Sequence, residues 1–218
     1  MNKRQKKKLI KIKNKKLTNR YPWLLPRSVW TDKILNDYDY TYTEADCFPA
    51  GWRKSFFKEM HEELREELIR CDYIDEFRVF QIKEKWGMLA YYAGSIPQEC
   101  NVYEIIHKYE RLSETICIDC GKLDVPNIPI NGWYSPICEC CYDKRIKKID
   151  KWYTDHGFSP YKYKTYQELL SNVDYDYTTP NVIKTSHCIP GEDWETIEID
   201  ISDTVNKLRT KNKKRKDL

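Results

Sequence analysis

No window of the chain approaches the ~18 uninterrupted apolar residues that a membrane span needs. Its N-terminus is a lysine run without the apolar core of a secretory leader. A Gly-rich phosphate loop, a nucleophile elbow and an H-E-x-x-H element are also missing, and no repeat of solenoid spacing recurs. These absences set the expectation of a soluble protein kept in the cytoplasm of the cell that makes it.

Aromatic side chains are plentiful. With 17 Tyr and 7 Trp among 218 residues, the chain has too many for disorder. Hydrophobic residues, at 40%, fall a little under the usual globular share. This length suits one domain, or one domain with a small appendage, burying about two thirds of its unfolded surface.

The net charge of +4 is unevenly spread. Residues 1–20 hold ten basic side chains and no acid, and residues 207–218 hold seven against the single Asp217. With 38 basic and 34 acidic residues in all, 21 basic and 33 acidic remain between them, a balance of −12. Lysine blocks of this density repel themselves and read as flexible, disordered arms that seek nucleic acid or an acidic protein. Lys6, Lys7, Lys8, Lys213, Lys214 and Arg215 are the candidate contacts. A genome rich in AT would also favour lysine over arginine, here 27 to 11.

Between the arms the pattern predicts an α+β body over residues 21–116. Tyr21-Pro22-Trp23-Leu24-Leu25-Pro26 suits an extended segment clamped across a surface groove. From Gly51 to about Cys71, apolar residues at three- and four-residue steps predict an amphipathic helix, with Glu62, Glu63, Glu66 and Glu67 on its wet face. Residues 77–84 and 88–93 flank Lys85-Trp86-Gly87 and predict a β-hairpin. Asn101 is placed to cap a helix that runs to about Ser113. Beyond a metal-binding element at 117–145, residues 146–206 read as the rest of a helix with Ile146, Ile149, Trp152 and Tyr153 inward, then an irregular Tyr-rich stretch. There Ile197, Ile199 and Ile201 alternate as a strand that could join the hairpin's sheet.

The nine cysteines are an odd number in a chain expected to stay reduced, so packing, reactivity or metal must explain them. Cys117, Cys120, Cys138 and Cys141 form C-x2-C-x17-C-x2-C, inside the zinc window. Two residues between thiolates let a tight turn aim both sulfurs at one ion, and two facing turns complete a tetrahedron in the manner of a zinc ribbon. Asn131-Gly132 supplies the reversal between the turns, and Trp133-Tyr134 could cover the ion. Cys140 competes with Cys141 for the fourth position, but a C-x-C pair is short for the turn. Four thiolates leave no open coordination site, so the zinc would be structural. Cys47, Cys71, Cys100 and Cys188 read as small hydrophobes.

Two further features bear on function. His61-Glu62-Glu63 and Pro136 partly match the zinc nucleobase deaminase signature, but Ile137 separates the proline from the cysteine and Cys117 and Cys120 would have no role, so an enzyme is not expected. On the hairpin, Lys83, Lys85, Trp86 and Tyr91 could present rings beside ammonium groups to single strands or nucleotides.

Tyr21 to Arg27, Gly51-Trp52-Arg53-Lys54, Gln81 to Tyr92, Lys108 to Glu110, Cys117 to Gly121 and Gly132-Trp133 together resemble a family of uncharacterised phage and prophage zinc-knuckle proteins, over about residues 20–145. Ala90 departs from its pattern, where an arginine would be expected. The resemblance implies a phage origin, hence a host cytoplasm, and a zinc knuckle, but no activity. The expected function is a non-catalytic accessory protein contacting nucleic acid or its machinery through tails and ribbon. The rival is a counter-defence module that captures a host protein or a small nucleotide on the hairpin.

Overall fold

The computed structural model describes residues 1–28, 30–130, 132–159, 163–187 and 195–216. Cys188 therefore lies outside the described residues, as does Asn131 of the expected reversal. The α+β body is present, and most of it is packed around aromatic rings. Helix α1 (Lys3–Arg20) leads into a single 3-10 turn, Pro22–Leu24, that drives Trp23 and Leu24 into the core with 1% and 0% of their surface exposed. The segment expected to lie across a surface groove is thus part of the interior.

The expected long helix is two, α2 (Ala50–Ser55) and α3 (Phe57–Arg70), broken at Phe56 where φ and ψ are −128° and 0°. The break turns Trp52 and Phe56 inward beside Met60, Leu64 and Leu68, all fully buried. Ile69, whose spacing also puts it among the apolar residues expected to face inward, is half-exposed. Strands β1 (Val79–Lys85) and β2 (Met88–Ala93) pair antiparallel around Trp86-Gly87, both in the left-handed region. Helix α4 (Val102–Ser113) follows, but Asn101 does not cap it with its side chain. The Asn101 backbone N–H donates to the Glu67 carboxylate at 2.5 Å instead.

Two more hairpins follow: β3 (Asn127–Ile130) with β4 (Trp133–Pro136), and β5 (Val182–His187) with β6 (Glu195–Asp200). Among the described residues these form three separate two-stranded sheets, so the strand around Ile199 pairs with β5 and does not extend the first hairpin. Helices α5 (Glu139–Asp155), α6 (Tyr166–Leu170) and α7 (Ser202–Lys216) complete the order.

The lysine-rich ends are helices, not disordered arms. In α1, Asn14 and Thr18 are buried and Leu17 packs on the body core. The Asn14 side chain donates to the Tyr40 carbonyl at 2.9 Å, and Lys11 pairs with Asp39 at 2.7 Å. In α7, Val205 and Leu208 are fully buried one helical turn apart, and Lys211 reaches the Ser55 carbonyl and Glu59 at 2.6 and 2.8 Å. The apolar spacing from Ile201 to Leu208 was short enough to be hidden by the lysines around it.

Two clusters of buried side chains result. The larger joins α1 to α4, the first hairpin and the β5–β6–α7 segment. The smaller contains Cys117, Val125, Ile128, Ile137, Cys138, Cys141, Tyr142, Tyr166 and Leu169. Cys71 and Cys100, expected as separate thiols, are joined as a disulfide from the end of α3 to the start of α4, with Cα atoms 6.0 Å apart.

Candidate metal centre

The sulfurs of Cys117, Cys120, Cys138 and Cys141 all lie within 4.8 Å of one another. Cys120 and Cys138 are 3.7 Å apart. Four sulfurs each about 2.3 Å from one tetrahedral ion would stand about 3.8 Å apart, so this donor set fits such an ion. Cys140 is exposed and outside the cluster, which leaves Cys141 as the fourth member.

The two pairs are held by different devices. Cys117 to Gly121 make a tight turn in which the Gly121 N–H donates to the Cys117 carbonyl at 2.8 Å and the Cys117 N–H to the Lys122 carbonyl at 2.7 Å. Cys138 and Cys141 instead occupy the N-cap and first turn of α5. The second half is therefore a helix N-terminus, not the second β-turn of a ribbon. Its unpaired N–H groups and dipole favour thiolate charge.

The chain's own charges are tuned as a group. The Cys117 thiol is held far below its ordinary value by hydrogen bonds from the Cys120 and Cys138 side chains and from backbone amides. Cys138 is pushed far up beside that thiolate, Cys120 to about 11 by the same neighbour, and Cys141 to about 12 by burial. Without a cation, a negative charge on one sulfur thus makes the next thiol harder to deprotonate. A bound divalent ion would invert that preference and draw all four protons off.

The turn is locked to the body by a glycine contact. A Cβ on Gly51 of α2 would lie 2.2 Å from the Cys117 carbonyl oxygen, and one on Gly121, whose φ is +81°, would lie 2.7 Å from the Gly51 carbonyl oxygen. The Gly51 N–H donates to the Ile118 carbonyl at 2.7 Å, and Trp52 Nε1 donates to the Ile116 carbonyl at 2.8 Å. Arg145 of α5 ties Asp119 at 2.7 Å.

The cover of the centre is not the expected one. Trp133 and Tyr134 are exposed, and Trp133 stacks on Trp86 with ring centres 5.5 Å apart while its Nε1 donates to Glu84. Tyr166 and Leu169 of α6 close the site, with the Tyr166 hydroxyl donating to the Ile137 carbonyl at 3.0 Å. The Thr165-x-x-Glu168 capping box was the available signal for this helix. Along α5, Trp152 faces outward and stacks on His156, not inward.

The other candidate residues are scattered. Lys6, Lys7, Lys8, Lys213 and Lys214 are exposed on α1 and α7; the Arg215 side chain lies outside the described residues. On the first hairpin, Lys85 and Trp86 are exposed and Lys83 sits 5.2 Å above the Tyr92 ring. Tyr91 is buried, so it offers no stacking ring. Its hydroxyl lies 3.3 Å from His61 Nε2, while His61 Nδ1 lies 2.8 Å from the Phe57 carbonyl. His61 is fully buried among aromatic rings, and that burial lowers its pKa to about 4. Both nitrogens are thus engaged inside the body core, with neither left for a metal. The wet-face glutamates are also partly spoken for: Glu62 binds Arg20 and the Tyr21 hydroxyl, and Glu63 binds Lys108 and the Tyr109 hydroxyl.

Comparison with models of known protein families, with curated proteins and with solved structures finds no match to this chain.

Proposed function

We propose that the four cysteines hold one structural zinc ion and that the protein is a non-catalytic, phage-type accessory factor that binds nucleic acid through its basic helices. Thiolate softness and tetrahedral spacing favour zinc among common intracellular metals, and four protein ligands leave no position for substrate. The phage assignment rests on the sequence resemblance alone. The observation that carries the binding reading is α1. Every side chain from Met1 to Ile10 is exposed, and its lysines lie about one turn apart with only Asp39 as an acidic partner among the described residues. Like charges at such spacing repel, and a polyanion relieves the repulsion.

The test has two parts. Elemental analysis should find one zinc per chain, lost in Cys141→Ser and kept in Cys140→Ser. Nucleic-acid affinity should fall steeply with salt between roughly 50 and 200 mM, and a chain lacking residues 1–13 should bind more weakly. A flat salt response would sink the binding reading.

A second reading has its own observation. Trp86 and Trp133 form an exposed stack where two hairpins meet, beside Lys85. This surface could capture a host protein or a small nucleotide, and binding unaffected by loss of residues 1–13 but abolished in Trp86→Ala would favour it.

A further inference from the structure

The two basic ends are remote in sequence, yet the fold sets both against one helix. On one side of α3, a cleft of about 540 Å³ is lined by Lys13, Lys16, Leu17 and Arg20 of α1 together with Phe57 and Lys58. On the other side, a cleft of about 260 Å³ is lined by four glutamates of α3, Glu59, Glu62, Glu63 and Glu66, with Lys58, Lys207, Tyr109 and Thr204. Lys58 and Glu62 line both, so α1 and α7 flank a single exposed strip of α3.

That strip is rich in acid, but three of its four glutamates are occupied, and the fourth, Glu66, is exposed and makes no ion pair among the described residues. Glu62 is bound by Arg20, Glu59 by Lys211 and Glu63 by Lys108. Lys13, Lys16, Lys58 and Lys207 are exposed and make no ion pair among the described residues, although Lys58 lends its field to Glu62. The acidic helix thereby anchors one set of cations and leaves another facing out. The rings nearby offer no platform, since Tyr21 and Phe57 are 3% and 7% exposed.

Resting on the polyanion reading above, we infer that α1, Lys58 and α7 form one continuous phosphate-binding surface for double-stranded DNA. Ammonium groups without exposed rings suit phosphates and not unstacked bases. Duplex DNA presents about one charge per 1.7 Å, dense enough to engage both helices at once. The exposed first half of α1 is about 10–12 Å wide with its side chains, which the B-form major groove, about 12 Å wide, admits. The A-form major groove is too narrow. Recognition is by charge and width, without sequence preference.

The experiment is a salt titration of full-length protein against a short labelled duplex DNA, the matching duplex RNA and the matching single strand. The variants are Lys16→Ala, Lys58→Ala, Lys207→Ala and the triple substitution, with Lys148→Ala on α5 as control. All four positions are exposed, so folding is preserved. The expected result is tightest binding to duplex DNA. Each single variant should reduce the slope of log K against log salt by about 0.9, and the triple variant should weaken binding at least about tenfold, with the control unchanged. Wild-type binding with all three groove variants unchanged would overturn the shared surface while leaving the polyanion reading intact. Preference for the single strand or the RNA duplex would overturn the choice of DNA. No salt-sensitive binding by wild type would overturn both.

Discussion

The body and the cysteine element solve the same problem with different means. Among the described residues, the body buries Trp23, Trp52, Phe56, Phe77 and Tyr109 with fourteen Val, Leu and Ile side chains around them. Each large side chain contributes on the order of 1.5–3 kcal/mol when removed from water, so this region needs no ion. Among the described residues, the core of the cysteine element has nine buried side chains, three of them cysteines. Its hairpin strands are four residues each and α6 is five. So small a core rarely holds itself, and a metal is the usual remedy. One region is stable by apolar area; the other, on the proposed reading, would be stable by coordination.

The sharpest way to break this comparison is to remove a ligand. Cys117→Ser should abolish metal binding and the local folding it drives, an apparent contribution of about 10–16 kcal/mol. Thermal melts should then resolve an early transition absent from the wild type. A single unchanged transition would mean that the element folds without metal.

Next in size is the join. Trp52→Ala removes a fully buried ring and the bond to the Ile116 carbonyl, and should cost about 3–5 kcal/mol of body stability in denaturant melts. It should also loosen the metal, because Ile116 precedes the first ligand. Metal affinity unchanged in Trp52→Ala would show that the two regions are independent.

The ends provide a third contrast, since one is largely outside the core and one is partly within it. Deleting residues 1–13, none of which is buried, should leave the melting midpoint nearly unchanged. Deleting residues 208–218 removes Leu208 and the Lys211 contacts, and should cost at least about 2–5 kcal/mol, the range for a buried leucine. Equal effects of the two deletions would contradict this placement of α7.

Sequence pattern made the main elements of the body and the four-cysteine cluster legible for physical reasons. Three- and four-residue spacing marks a helix that buries one face, and C-x2-C pairs have few uses besides metal. The break at Phe56 was invisible because its cause is tertiary: α2 must bring Gly51 against the Cys117 turn. The helical ends were hidden because solvated lysines dominate their composition, while docking depends on a few side chains among them, chiefly Asn14, Leu17, Thr18, Val205 and Leu208. Alternation along β2 does not separate Tyr91 from Tyr92; only the position of α3 and His61 decides which ring goes inside. Cover by Tyr166 instead of Trp133 likewise depends on a contact spanning 29 residues.

The smallest effect is a pH dependence confined to the body. Burial lowers the His61 pKa from 6.5 to about 4, so the folded state favours the neutral ring. Above about pH 6.5 that contribution is fully present. As pH falls from there toward 4 the unfolded chain takes up the proton first, and stability is lost, by on the order of 3 kcal/mol. His61→Gln should flatten this part of the profile in denaturant melts, whatever its effect on absolute stability. An equally steep fall in the variant would assign the dependence to other groups.

The most direct measurement is hydrogen exchange, peptide by peptide, on the protein before and after chelation. The account predicts that residues 117–142 and 166–170 lose their protection when the metal is withdrawn, while α3, α4 and the first hairpin keep theirs. Loss of protection throughout the chain, or none anywhere, would contradict it.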